Sequence, residues 1–320
     1  TELAFRTGGQ AEARAEGARR AADHCGSVAP GADGGEAGAA GAAQGECRRF
    51  VVYGRDVHVY TPGSALLNPA SPLAVVLVVH GGGGAAGRPA ETAVRLAKTS
   101  GFAQVAEEAE FLAVFPAMKV PDSADPLARW QFELEFFEAL VSVLMFEFNI
   151  DHRQLFLCGH AAGGALALFV QSRLPHLFRA VASVGAGVDF SHERLHNRSD
   201  APALLVWNHH DPALMGRGGD RLYNRTIAAL RGPRAEDRAA PPPLREALVP
   251  RREDVSYADL LQWDGPPLVQ VVSWASRRPT GRWPSPRTVP GAFDGARVVW
   301  QFFGLAARQS WDPLAGSTRT

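Results

Sequence analysis

Two apolar runs in this chain end abruptly against glycine. Leu73 to Val79 is unbroken by any polar residue and stops at His80-Gly81-Gly82-Gly83-Gly84, and Leu155 to Cys158 stops at Gly159-His160-Ala161-Ala162-Gly163-Gly164. A strand that is apolar at every position must be covered on both faces, which is the condition inside a parallel sheet flanked by helices. Further strands are expected at Phe111 to Phe115, Ala180 to Val184, Ala203 to Trp207 and Leu268 to Trp274. Helical spacing separates them, up to Ala106, over Trp130 to Phe148, Ala161 to Leu174, Asp220 to Leu230 and Phe293 to Ala307. Arg49 to Val52 and Val57 to Tyr60, joined at Gly54-Arg55-Asp56, read as a hairpin leading into the sheet. The stretch carrying Pro241-Pro242-Pro243 reads as an irregular connection. Alternation of this kind predicts a doubly wound, mainly parallel α/β sheet in a single domain, with no internal repeat.

Composition excludes several functions. The 320 residues carry 33 basic and 33 acidic side chains, so no global charge attracts a phosphate backbone or an anionic membrane surface. The hydrophobic fraction of 46% suits a soluble globular protein. No apolar run reaches the roughly 18 residues of a spanning helix. Lys98 and Lys119 are the only lysines, and arginine supplies the remaining basic charge. Three cysteines, Cys25, Cys47 and Cys158, are too few for a disulfide scaffold or a four-thiolate zinc site. Cys25 and Cys47 are close enough in sequence to pair across a loop, whereas Cys158 lies in an apolar strand and reads as a buried thiol.

Residues 1–47 are mostly Ala, Gly, Arg and Glu, with almost no large apolar side chains after Phe5. Such a segment buries too little surface to offset its ordering entropy, so it reads as disordered unless another protein holds it. The expected organisation is therefore an extension over residues 1–47, a folded domain over 48–306 and a polar tail over 307–320. The first residue is Thr1, and no apolar signal core follows it. The chain is expected to be either incomplete or processed, as an organellar or exported protein would be.

A strand running into Gly159-His160-Ala161-Ala162-Gly163 and then a helix is the context of the nucleophile elbow, G-x-S-x-G. Gly159 and Gly163 occupy the two glycine positions, and Ala161 stands where the serine would be. Here the chain resembles the α/β-hydrolases, and among them esterases of the polyhydroxybutyrate depolymerase and feruloyl esterase type. The resemblance spans roughly residues 49–303. It rests on Val78-Val79-His80-Gly81-Gly82-Gly83, the helix from Trp130, Asn149-Ile150-Asp151, the elbow, Pro202 to Asp211, and Trp283-Pro284 before the closing helix.

That resemblance implies an α/β-hydrolase fold and a triad in the order Ser, Asp, His. The three positions fall on Ala161, Asp211 and Gly281. It also implies that His80, Gly81 and Gly82 shape one side of an oxyanion hole, with the backbone N–H of Ala162 and the neighbouring His160 on the other; a merely tight loop is the alternative. All ten histidines lie at or before His210, so none follows Asp211. An engineered knockout would change the serine alone, so the double loss favours a naturally degenerate hydrolase. Losing nucleophile or base costs on the order of 10⁶ in turnover, about 8 kcal/mol of barrier. The sequence alone thus points to a pseudoenzyme acting as a structural or accessory subunit of a protein assembly, contacted in part through residues 1–47. The alternatives are a binding module taking a small acyl or aromatic carboxylate in the old pocket, or a serine esterase with an altered active site.

Other motifs carry less. His192-Glu193-Arg194-Leu195-His196 matches the H-E-x-x-H zinc pattern but lies in a polar stretch without a long apolar helix to hold it, so no metal is expected. His209-His210-Asp211 reads as loop histidines beside the acid position. Asn197-Arg198-Ser199 and Asn224-Arg225-Thr226 are short glycosylation patterns of the kind chance produces. Phe132, Phe136, Phe137, Phe146 and Phe148 suit a helix packed on the sheet. No phosphate-loop signature occurs and no cofactor is implied.

Overall fold

The computed structural model describes residues 45–82, 88–118, 126–188, 201–216, 218–231, 243–249, 257–263, 267–275, 283–284 and 293–309. Ten strands form one sheet: β1 (Glu46–Val52), β2 (Arg55–Thr61), β3 (Leu73–Val79), β4 (Phe111–Pro116), β5 (Ile150–His160), β6 (Ala180–Val184), β7 (Ala203–Asn208), β8 (Leu244–Val249), β9 (Tyr257–Trp263) and β10 (Val269–Ala275). Their spatial order is β1-β2-β4-β3-β5-β6-β7-β10-β9-β8. From β4 to β10 every neighbouring pair is parallel. Antiparallel strands close both edges.

The hairpin β8–β9 departs from expectation. The residues around the proline run do not merely connect; the chain makes two strands there before returning to β7 through β10. Leu244-Arg245-Glu246-Ala247 is exposed, which hides the strand from any reading based on apolar runs. Charged residues on an edge strand also discourage pairing with another chain. Arg245 is bonded to Asp259 of β9 across the pair.

The helices are α1 (Gly63–Leu67), α2 (Pro89–Thr99), α3 (Phe102–Ala109), α4 (Pro126–Glu147), α5 (Ala162–Arg173), α6 (Pro212–Met215), α7 (Gly219–Arg231) and α8 (Gly295–Ala307). The strand period of two sorts the core into two layers. Val76 and Val78 of β3 join Phe102 of α3 and Phe302 and Phe303 of α8 on one face. Val75, Leu77 and Val79 join Phe137 and Leu140 of α4 and Leu166 and Phe169 of α5 on the other. Phe303 stacks on Phe156 of β5 at 4.6 Å, and Trp300 stacks on Phe111 of β4 at 4.1 Å.

Polar anchors hold the helix ends. The Asp294 carboxylate accepts from the Arg297 backbone N–H at 3.2 Å, capping α8 at its start. At its other end the Arg179 guanidinium donates to the Ala306 carbonyl at 2.9 Å and also to that of Gln309. A cation there satisfies orphan carbonyls and opposes the negative end of the helix dipole.

Arg55 at the start of β2 pairs with Glu133 of α4, with side-chain exposures of only 9% and 3%, and the guanidinium also lies over the Phe136 ring at 4.3 Å. Breaking a buried pair leaves one charge without its counterpart. Arg55→Ala is expected to lower unfolding free energy by about 3 kcal/mol. The apolar double replacement Arg55→Met with Glu133→Leu is expected to recover most of that loss, read by urea denaturation followed by circular dichroism.

Candidate functional site

The site lies where β5 turns into α5. Gly159 leaves no room for a side chain: a Cβ there would sit 2.0 Å from the Gly163 carbonyl oxygen. A Cβ on Gly163 would lie 2.5 Å from the carbonyl oxygens of both Val79 and His80. The strand–helix junction and the end of β3 are therefore in backbone contact, and only glycine permits it.

Between these glycines Ala161 adopts φ 51° and ψ −124°, a conformation that non-glycine residues rarely take. Backbone of this kind costs about 1–3 kcal/mol and is held only by surrounding bonds. Here the Ala161 N–H donates to the Val184 carbonyl at 2.8 Å, and the Ala161 carbonyl accepts from Gly164 and Ala165 at 2.8 and 3.2 Å. The elbow shape is thus complete around a methyl group.

Gly81 closes against this turn. A Cβ added to it would fall 2.9 Å from the Ala161 Cβ and 3.6 Å from the Ala162 nitrogen. His80 itself faces elsewhere. Its Nε2 accepts from the Met118 backbone N–H at 2.9 Å, which leaves Nδ1 protonated and facing the Gly81 carbonyl at 3.0 Å. Burial lowers its pKa from the ordinary 6.5. His80 therefore fixes the turn through backbone contacts, and the Gly81 backbone is what meets Ala161. Gly82 follows at the end of the described segment.

His160 and Asp211 both border Gly185, whose φ is 66°: a Cβ there would lie 3.9 Å from His160 Nε2 and 4.0 Å from Asp211 Oδ2, in ordinary contact with each. Asp211 is buried, and its carbonyl accepts from Leu214 and Met215 to start α6. The buried Trp283 ring packs edge-on to His160 at 5.9 Å, and the Pro284 carbonyl accepts from Gly295 at the head of α8. Trp283-Pro284 is thereby held beside the elbow.

The expectations for Gly281, for His192 and His196, and for the pairing of Cys25 with Cys47 fall outside the described residues, as does most of the 1–47 extension. Cys158 is buried in β5, and desolvation pushes its thiol pKa far above the usual range.

A second group was not anticipated from the sequence. His209, after β7, places Nε2 2.9 Å from the Ser273 hydroxyl of β10 and Nδ1 3.4 Å from Asp220 Oδ1 of α7. Ser273 and His209 are 64 residues apart and meet only because β10 returns parallel to β7. The one sequence signal was that both sit near the C-terminal ends of predicted strands, where open α/β sheets carry their sites.

No family model matches the sequence, and no curated relative matches it. Solved structures do. An acetyl xylan esterase from Aspergillus awamori aligns over 78% of this chain and 94% of its own, with a TM-score of 0.53 at 12% identity. FphF, a fluorophosphonate-binding serine hydrolase of Staphylococcus aureus, aligns over 58% and 88%, with a TM-score of 0.43 at 12% identity. A ferulic acid esterase from Anaeromyces mucronatus aligns over 65% and 87%, with a TM-score of 0.40 at 16% identity. The chain has the α/β-hydrolase fold.

The expectation that the chain is not an enzyme is corrected by its fold, which it shares with the acetyl xylan esterase. That expectation rested on the lack of a histidine after Asp211, whereas the parallel strands bring His160 and His209, which precede it, to the same C-terminal edge of the sheet. Among the described residues no helix is long and apolar enough to cross a membrane.

The lowered pKa of His80 makes stability depend on pH. Unfolded, its imidazole takes a proton near pH 6.5; buried, it resists doing so until lower pH. Its stabilising effect is full above that point and declines as pH falls below it. Urea midpoints are expected to drop between pH 7.5 and 5.5 by less in His80→Gln, which keeps an acceptor for the Met118 N–H, than in the parent chain.

Proposed function

We propose that this chain is an esterase-type hydrolase with an altered active site, taking a carboxylic ester at the elbow and using water where a serine hydroxyl would ordinarily attack. The observation that carries the reading is that His160 and the buried Asp211 both border Gly185, with His160 immediately before a strained Ala161. Strained backbone of this kind clusters at working sites.

In this reading the ester carbonyl lies over Ala161, with its oxygen toward the backbone of Gly81 and Ala162. Backbone N–H donors do not depend on the missing hydroxyl. Water takes the space beside the Ala161 methyl. His160 accepts one proton as the water oxygen bonds to the carbonyl carbon. The acyl–oxygen bond then breaks, and the leaving alkoxide takes that proton from His160, so the products are an acid and an alcohol. Asp211 orients the imidazole and stabilises its protonated form. General base catalysis alone contributes about 10²–10⁴, so turnover should be slow beside that of a complete triad.

Hydrolysis of p-nitrophenyl acetate by the full chain tests this. The rate should exceed the buffer rate and fall by about 100-fold in His160→Gln, with Asp211→Asn falling in the same direction. A parent chain no faster than buffer, or a His160→Gln variant as fast as the parent, would sink the proposal.

A further inference from the structure

We propose that Ser273, His209 and Asp220 form a second nucleophilic site, two to three strands along the sheet from the elbow, able to accept an acyl or phosphonyl group on the Ser273 hydroxyl. It is separate from the elbow reading and uses none of its residues.

The relation among the three side chains is that of an activated serine. Ser273 Oγ lies 2.9 Å from His209 Nε2, within hydrogen-bond reach for proton transfer. Asp220 Oδ1 faces the other ring nitrogen at 3.4 Å. The negative charge beside Nδ1 favours the tautomer with the ring proton there, which leaves Nε2 as the acceptor for the serine hydroxyl. His209 is not free to swing away. Its backbone N–H donates to the Trp274 carbonyl at 3.0 Å, and its ring packs edge-on against Tyr223 of α7 at 5.4 Å.

Tyr223 also approaches Ser273, and burial pushes its pKa up to about 12, so its hydroxyl stays protonated. The group opens to solvent on the Asp220 side, with exposures of 26% for His209 and 77% for Asp220. A purely structural serine–histidine bond would fix the loop after β7 equally well, so the distinguishing property is reactivity.

The step is balanced without any co-reactant beyond the electrophile and water. Ser273 Oγ bonds to the acyl carbon while its proton passes to His209 Nε2. The ester C–O bond breaks and the departing alkoxide takes that proton. Water reverses the sequence and releases the acid. With a fluorophosphonate the oxygen bonds to phosphorus, fluoride leaves, and the adduct persists. His209 is the base, and Asp220 is a positioning residue that acts through it.

The test is covalent labelling of the full chain with an alkyl fluorophosphonate, followed by digestion and mass mapping. The expected adduct is on Ser273, lost in Ser273→Ala and formed about 100-fold more slowly in His209→Gln. Asp220→Asn should slow labelling and Asp220→Glu should restore it, a rescue that a merely structural carboxylate would not give. Absence of any adduct on the folded parent chain, or an adduct mapped to another residue, would overturn the proposal. Mapping on the parent chain decides the matter even if a variant fails to fold. Because the readout is an adduct at a named residue, its failure is distinguishable from a failure of His160-dependent ester turnover.

Discussion

The backbone-to-backbone contact among Gly159, Gly163 and the end of β3 is the constraint on which the rest of this structure depends. At 2.0 and 2.5 Å from main-chain oxygens, a Cβ at either glycine would push α5 off the sheet. With both positions bare, α5 starts directly beneath the turn after β3. The chain must then pass through Ala161 in a conformation that alanine resists. The strain is sustained because Val184, Gly164 and Ala165 hold both its amide and its carbonyl. A tight junction of two strands and a helix, and not the side chain at its apex, is what defines the elbow.

That distinction matters for function. The shape of the turn does not depend on the side chain at its apex, since glycine sterics and main-chain bonds supply it. The sheet meanwhile gathers polar side chains from four neighbouring strands at a single edge: His160 after β5, the gap at Gly185 after β6, His209 and Asp211 after β7, and Ser273 on β10. Chemistry on this fold is therefore a question of which imidazole faces which oxygen.

Much of the architecture was legible beforehand. Leu73 to Val79 and the elbow strand read correctly because both faces of a central strand are buried and every position is apolar. The helix against the far layer was legible through its phenylalanines, with Phe136 and Phe137 buried; Phe132 and Phe146 are exposed instead, because one helix cannot turn every aromatic toward the sheet. The hairpin β8–β9 was missed because an edge strand needs no apolar run. Its Leu244 to Ala247 segment faces solvent and is held by main-chain pairing and by the Arg245–Asp259 bond. The boundaries of β5 were likewise too short, since its polar start, Asp151 to Gln154, falls in the irregularity between the Leu73–Ile150 and Val75–Leu155 pairs and carries no apolar run.

By itself the sequence determined the layered α/β plan, the place of the elbow and the residue at its apex, because these are set by local patterns: apolar runs, glycines at fixed spacing, and the identity of one side chain. Tertiary structure alone decided which imidazoles stand near which carboxylates and hydroxyls. His160 and Asp211 border the same glycine only through parallel alignment of β5, β6 and β7, and His209 meets Ser273 only because a hairpin turns β10 back beside β7. Contacts between residues distant in the chain are fixed by strand order and register, which emerge from packing of the whole sheet and leave no mark in any short stretch of sequence.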